Sequence, residues 1–350
     1  MKRTLLLTAI SGHLLTGLAL AQETDTPRIE APIIVTAPGP ARSSDELIGN
    51  ATALDRDDIV GRLSGSLGDT LSGQPGVSST FFGQGASRPV LRGLGAERVQ
   101  VLTNGIGVID VSAASPDHQV TADGIDADKI EILRGPAALA YGGQGIGGVV
   151  NVIDGLIVEA LPERPVSGEA YGAWNGVNDG TELGARAAFT AGPLVFSLSG
   201  SKRDFGDFDI PGLAESRQLR HREELEHEAE HSEEEGEEHD HEHEEEALVE
   251  GTLPDSYLNT ETLGAGISWV GERAFAGFAV RQQTSTYGLP GHAHEHGEED
   301  HGHEGEEEEH GEDHDHEEEG APFIDLEQMR YDFRAGINLD GPVLKAITGT

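Results

Sequence analysis

The stretch MRYDFRAGINLD places Tyr331, Phe333, Ala335, Ile337 and Leu339 on one side of an extended chain and Asp332, Arg334, Gly336, Asn338 and Asp340 on the other. Successive side chains of a strand point to opposite faces, so this period-two pattern excludes a helix and fixes one apolar and one polar face. TELGARAAF does the same, with Leu183, Ala185, Ala187 and Phe189 opposite Glu182, Gly184 and Arg186; NTETLGAGISW and RAFAGFAVRQQ are similar. About ten residues of alternation ended by turn residues is the pattern of a transmembrane β-barrel strand. A soluble antiparallel sandwich alternates as well, so the pattern alone leaves two architectures open.

The N-terminus favours the barrel. MKRTLLLTAISGHLLTGLALA carries Lys2 and Arg3, an apolar run from Leu5 to Leu20, and Ala19-Leu20-Ala21 as a small-residue cleavage site. That is a secretory signal over residues 1–21, with the mature chain expected to begin at Gln22. His13 and two glycines interrupt the run, which argues against a membrane anchor. The chain has no cysteine, so disulfides, thiolate metal sites and cysteine nucleophiles are excluded.

Residues 22–46, QETDTPRIEAPIIVTAPGPARSSDE, are Pro-rich and polar around one apolar patch, Ile33, Ile34, Val35, Thr36 and Ala37. This composition predicts an extended, mobile segment with a single strand-like patch. Residues 47–158 read as a compact mixed α/β region. LGDTLSGQPGV predicts a short helix ended by a Pro-Gly turn, and RVQVLTNGIGVID two strands joined at Asn104-Gly105. KIEILRGPAALAYG predicts a strand, a Gly-Pro break and a helical turn or two, and GGVVNVI a further strand.

From residue 166 to 350 the alternating strands are interrupted by two inserts, in connections 204–257 and 287–324. Residues 217–250 hold 16 acidic groups and three arginines, a net of −13, and residues 287–324 hold 15 acidic groups and no Lys or Arg, a net of −15. Together they carry most of the chain's formal charge of −41. The remainder is mildly acidic without a basic patch, which argues against nucleic-acid binding. The tight joins Ala191-Gly192-Pro193, Gly271-Glu272 and Asp340-Gly341-Pro342 fall at one end of the strands, and both inserts fall at the other. Bacterial barrels have short periplasmic turns and long external loops, so strand parity places both inserts outside the cell.

RPVLRGLGAERVQVLTNG, SPDH and IEILRGPAALAYGGQGIGGVVNVI resemble the plug of TonB-dependent outer-membrane receptors, and IIVTA resembles that family's TonB box. The resemblance covers nearly all of residues 30–155. It implies an α/β plug domain followed by the first antiparallel strands of a transmembrane β-barrel, incomplete here because the family's barrel has about 22 strands. It also implies energy from the TonB complex of the inner membrane as partner, with outer-membrane lipid around the barrel. The chain stops at VLKAITGT as a seventh strand begins, so it reads as an N-terminal part that does not transport by itself. Within the family, SPDH and the His-rich inserts resemble the zinc-uptake receptors.

Three features carry candidate chemistry. GGQGIGG has dinucleotide-like glycine spacing, but its strand follows instead of preceding, so the reading is a flexible or close-packed backbone segment. Residues Ile33 to Ala37 suit β-augmentation, in which an extended peptide adds a strand to a partner's sheet edge. Asp117 and His118 offer a carboxylate oxygen and an imidazole nitrogen to a metal; alone, an Asp-His pair is an ordinary surface turn, and the ligand role comes from the resemblance.

The inserts hold all histidines except His13 and His118. His239, His241 and His243 form one His-x-His-x-His run, and His292, His294 and His296 another. His227 and His231 stand four apart, a spacing that shares one face if the stretch is helical. His301, His303, His310, His314 and His316 complete the candidate metal ligands. Such segments are also solvated acidic loops, but neutral imidazole with carboxylate neighbours predicts several weak, interchangeable sites for zinc, nickel or copper.

The expected function is uptake of a transition metal ion, zinc foremost, through the outer membrane. One alternative is a receptor for another metal, a metal chelate or haem, and another is a secreted metal-buffering protein. No triad, nucleophile elbow or His-Glu-x-x-His motif supports an enzyme.

Overall fold

The computed structural model describes residues 33–34, 42–43, 50–222, 225, 249–290, 322–339 and 346–349. The signal sequence, Val35, Thr36 and Ala37, and the thirteen candidate ligands of the two inserts from His227 to His316 lie outside the described residues. β1 (Ile33–Ile34) pairs antiparallel with β2 (Arg42–Ser43), so the front of the IIVTA patch is held in a short ladder instead of standing alone as the composition predicts. The two short strands satisfy each other's backbone groups locally.

The first domain is built on a five-stranded sheet in the order β3 (Asn50–Asp55), β8 (Lys129–Arg134), β9 (Gly148–Ile153), β6 (Val99–Thr103), β7 (Ile106–Gly107). β6 and β9 run parallel and the other pairs antiparallel. Ile59, Leu71, Leu91, Ile130, Ile132 and Val150 pack one face, and Leu102, Leu133, Ala138 and Val149 the other. Burial on both faces explains why KIEILR and GVVNVI read as apolar runs with little alternation. Asn104 (φ 52°) and Gly105 (φ 84°) are both left-handed, the turn that suits a two-residue hairpin. α1 (Arg56–Val60) and α2 (Leu67–Leu71) lie beside the sheet, α2 capped by the Ser66 hydroxyl, which accepts from the Asp69 N–H at 3.2 Å. β4 (Val77–Ser79) and β5 (Pro89–Leu91) form a separate hairpin. GGQGIGG is open at Gly142 and Gly143 and close-packed towards its end: at Gly148 (φ 144°) a Cβ would stand 2.5 Å from Leu91 Cδ1 and 2.7 Å from the Leu133 carbonyl oxygen.

The second sheet is antiparallel throughout, in the order β10 (Val166–Asn175), β11 (Gly180–Ala191), β12 (Leu194–Phe205), β15 (Leu258–Val270), β16 (Ala274–Gly288), β17 (Phe323–Asn338), β18 (Ala346–Gly349). It is open, with β10 and β18 at its edges. Its faces are inverted relative to a soluble sandwich. Leu183, Leu263, Tyr331 and Phe333 are 57–64% exposed, while Glu182, Arg203, Thr262, Arg281 and Gln283 on the opposite face are at most 4% exposed. Apolar-out and polar-in is the arrangement of a strand between lipid and a filled lumen, which decides between the two architectures that alternation left open.

The 204–257 connection departs from a plain acidic loop. It rises on a hairpin of β13 (Phe208–Leu213) and β14 (Glu250–Leu253), followed by a helical turn at 217–222.

Candidate functional site

Strand order fixes two ends of the sheet. The joins 192–193, 271–273 and 339–345 lie at one end; the connections 206–257 and 289–322 lie at the other. Both His-rich inserts therefore spring from the same end, as the strand parity predicts.

Plug loops reach that end and are tied to it. Gln84 donates through Nε2 to the carbonyls of Gly206 and Ser256, both at 2.6 Å, and its Oε1 accepts from Asn178 Nδ2 at 2.6 Å. Close by, Phe81 and Phe82 remain 52% and 43% exposed, the Phe81 ring 6.0 Å from that of Phe208.

The second tie carries Asp117 and His118. Tyr287, fully buried one residue before the end of β16, accepts from the Gln119 N–H at 2.8 Å and donates to the Asp117 carbonyl at 3.4 Å. Its ring sits in a cluster with Ala86, Phe205, Leu258 and Leu289. The loop below is shaped by Asp110, whose Oδ2 accepts from the Thr121 N–H (3.0 Å) and hydroxyl (3.1 Å) and whose Oδ1 accepts from Ser112, itself bonded by Arg88. The apex is thus fixed from beneath by a carboxylate and from the wall by a tyrosine.

Asp117 and His118 are about one-third exposed, and Asp117 Oδ1 lies 3.1 Å from His118 Nδ1. The Ser115 hydroxyl also bonds Asp117 Oδ1 and, with His118 after it, holds this carboxyl below the usual carboxylate range despite partial burial. The two candidate ligands thus lie side by side, with the carboxylate against the Nδ1 edge of the imidazole. Among the described residues, no group of three or more His, Cys, Asp or Glu is placed to hold a metal.

Sequence reasoning missed the wall's contribution. Arg203 on β12 bonds Asp123 (2.9 Å), Glu182 (3.2 Å) and the Gly65 carbonyl (3.1 Å). Arg281 on β16 bonds Asp126 at 2.8 and 3.3 Å and the Thr121 carbonyl at 3.3 Å. Arg56 donates to the Ile125 and Ala127 carbonyls at 2.8 and 3.0 Å and to Glu169 on β10 at 2.7 Å. The buried stretch 121–127 is thereby held between plug and wall. Arginines on the polar face of alternating strands were the available signal, since a charge facing a filled lumen needs a partner.

Residues 43–149 match the TonB-dependent Receptor Plug Domain. The chain is 30% identical over 223 residues to the Ferrienterobactin receptor of Escherichia coli (strain K12), covering 58% of this chain and 27% of that receptor. It is 30% identical over 185 residues to the Hemin receptor of Yersinia enterocolitica, covering 51% and 26%. The solved structure of the Copper transporter OprC superposes with a TM-score of 0.55 at 13% identity, covering 85% of this chain and 36% of that one, a likeness of fold alone. The chain spans about a quarter of the length of these two curated relatives. Neither of the two is named for zinc, so the finer resemblance to zinc-uptake receptors goes beyond these matches. Residues 43–149 thus carry a plug domain of the TonB-dependent receptor type, and the seven antiparallel strands after it form an apolar-out, polar-in sheet like the first strands of an outer-membrane barrel.

Proposed function

We propose that this receptor captures a transition metal ion, zinc foremost, at its outer rim and passes it to a site that includes His118 oriented by Asp117. Energy would come from the TonB complex engaging Ile33 to Ala37 by strand addition. The observation that carries this reading is the placement of an Asp117–His118 pair, backbone-pinned by Tyr287, at the end of the sheet from which both His-rich inserts spring. The net charge of −28 over the two inserts raises the local concentration of cations there. Further ligands would come from the inserts or from parts of the receptor outside this chain.

Protonated imidazole does not coordinate, so capture should fade as pH falls below about 6. Asp117 does not set that limit. Its carboxyl is lowered by Ser115, so its ionised form, and the stability it lends the folded loop, persists above the ordinary carboxylate value and is lost only as pH falls through the depressed one. Titration of the receptor with zinc tests the assignment: His118→Ala should weaken the tightest site about tenfold or more, and Asp117→Asn less, as expected for an outer-shell partner. Unchanged affinity in both variants would remove the pair from the site.

A second reading, uptake of a metal chelate or haem, is favoured by the ferrienterobactin and hemin relatives and by exposed Phe81 and Phe82 on the plug apex. Competition of haem and a ferric catecholate against zinc separates the two. Retention in outer membranes, expected from the lipid-facing Leu183, Leu263 and Phe333, argues against a secreted metal buffer.

A further inference from the structure

The inner wall of the sheet carries polar groups that the fold leaves uncommitted. Ser201 on β12, Thr262 on β15 and Gln283 on β16 are register partners in one row. In the row above, Thr260 and Ser285 satisfy each other at 2.8 Å, and above that stands Tyr287, which pins Asp117 and His118. In the Ser201 row and the two rows below it, four residues keep buried polar atoms without partners. Thr262 and Gln283, each 1% exposed, make no hydrogen bond through Thr262 Oγ1 or through either Gln283 amide atom. The same holds for Ser199 Oγ and, one row further, for Ser197 Oγ, whose residue is 6% exposed.

The four residues form a diagonal from β16 to β12. It starts two rows below the tyrosine and descends towards the short joins. It passes between the Arg203–Asp123 and Arg281–Asp126 ion pairs. It ends in a cavity of about 620 Å³ between the 153–162 segment and β10–β12, where Ser197 and Ser199 share the lining with Asp128, Glu159, Glu169 and Arg334.

A native interior rarely leaves five buried polar atoms without partners, and each costs free energy unless a polar guest meets it. Neutral hydroxyl and amide groups replace part of an ion's hydration shell without trapping it, which is what passage demands. We propose that this diagonal is the route by which a partly hydrated divalent cation leaves the Asp117–His118 site and descends between plug and wall to the cavity. The proposal rests on the reading of the cargo as a metal ion.

The two anchoring ion pairs flank the route on either side. The role also differs in sign from a structural one. Replacing an uncommitted buried polar group by an apolar group of similar shape is neutral or stabilising. A purely architectural wall would therefore tolerate the change.

The test uses the receptor in outer membranes with radioactive zinc, comparing surface binding with energised uptake. For the double variant Thr262→Val with Gln283→Leu, binding and thermal stability should hold while energised uptake falls about tenfold or more, two hydrogen bonds to a charged species having been lost along the path. Thr262→Ser should retain uptake. Because the chain has no cysteine, Ser197→Cys supplies a second readout: a small cationic thiol reagent should label the introduced thiol and block uptake. Parental uptake in the double variant, or a Ser197→Cys variant that stays unlabelled, overturns the route while leaving the metal reading intact. A parent receptor that imports no zinc overturns both.

Discussion

The two sheets of this molecule use alternation in opposite senses. In the plug, Ile130, Ile132 and Leu133 are fully buried and both faces of the central strands are packed. In the wall, Leu183, Leu263 and Phe333 face outward while Glu182, Arg203 and Arg281 are enclosed. The plug is held by removing apolar surface from water; the wall is held to the plug by charges that have left water and found partners. A hydrophobic pattern thus locates a strand, but only the polar face's partners reveal which side is the inside.

Changes that strand a buried charge should break this comparison hardest. Arg203→Ala leaves Asp123 and Glu182 enclosed without their guanidinium and should destabilise the plug–wall assembly by about 3–5 kcal/mol. Denaturant unfolding followed by tryptophan fluorescence would measure it. Next come two substitutions with opposite logic. Ile132→Ala in the plug empties part of a closed core and should cost about 2–5 kcal/mol. At Leu263, Ala should be nearly silent, whereas Arg should cost up to about 2–4 kcal/mol if the position lies at bilayer mid-depth. Equal sensitivity of Ile132 and Leu263 to Ala in lipid would contradict the inverted wall. The smallest effect expected is at the plug hairpin: Gly105→Ala, at φ 84°, should cost about 1 kcal/mol through backbone strain alone.

Much of this was legible from residues. The Asn104-Gly105 turn, the KIEILR and GGVVNVI strands and the alternation at Leu183 and Tyr331 each depend on local chemistry that the sequence displays directly. The position of both inserts at one end followed from counting joins. What stayed hidden were contacts between distant segments: Tyr287 reaching Asp117 and Gln119 across 170 and 168 residues, Gln84 bridging Gly206 and Ser256, and Arg281 closing on Asp126. No local periodicity encodes such pairings. The pairing of β1 with β2 escaped for a different reason: a Pro-rich stretch reads as extended, and composition does not tell whether two extended pieces meet.

In the proposed uptake, both His-rich inserts stand on the outer rim above the Asp117–His118 apex. The most direct measurement is digestion by a glutamate-specific protease added to intact cells. Cleavage within both 223–246 and 295–319 is expected while the cells remain sealed. Inserts that stay whole until the outer membrane is opened would contradict it.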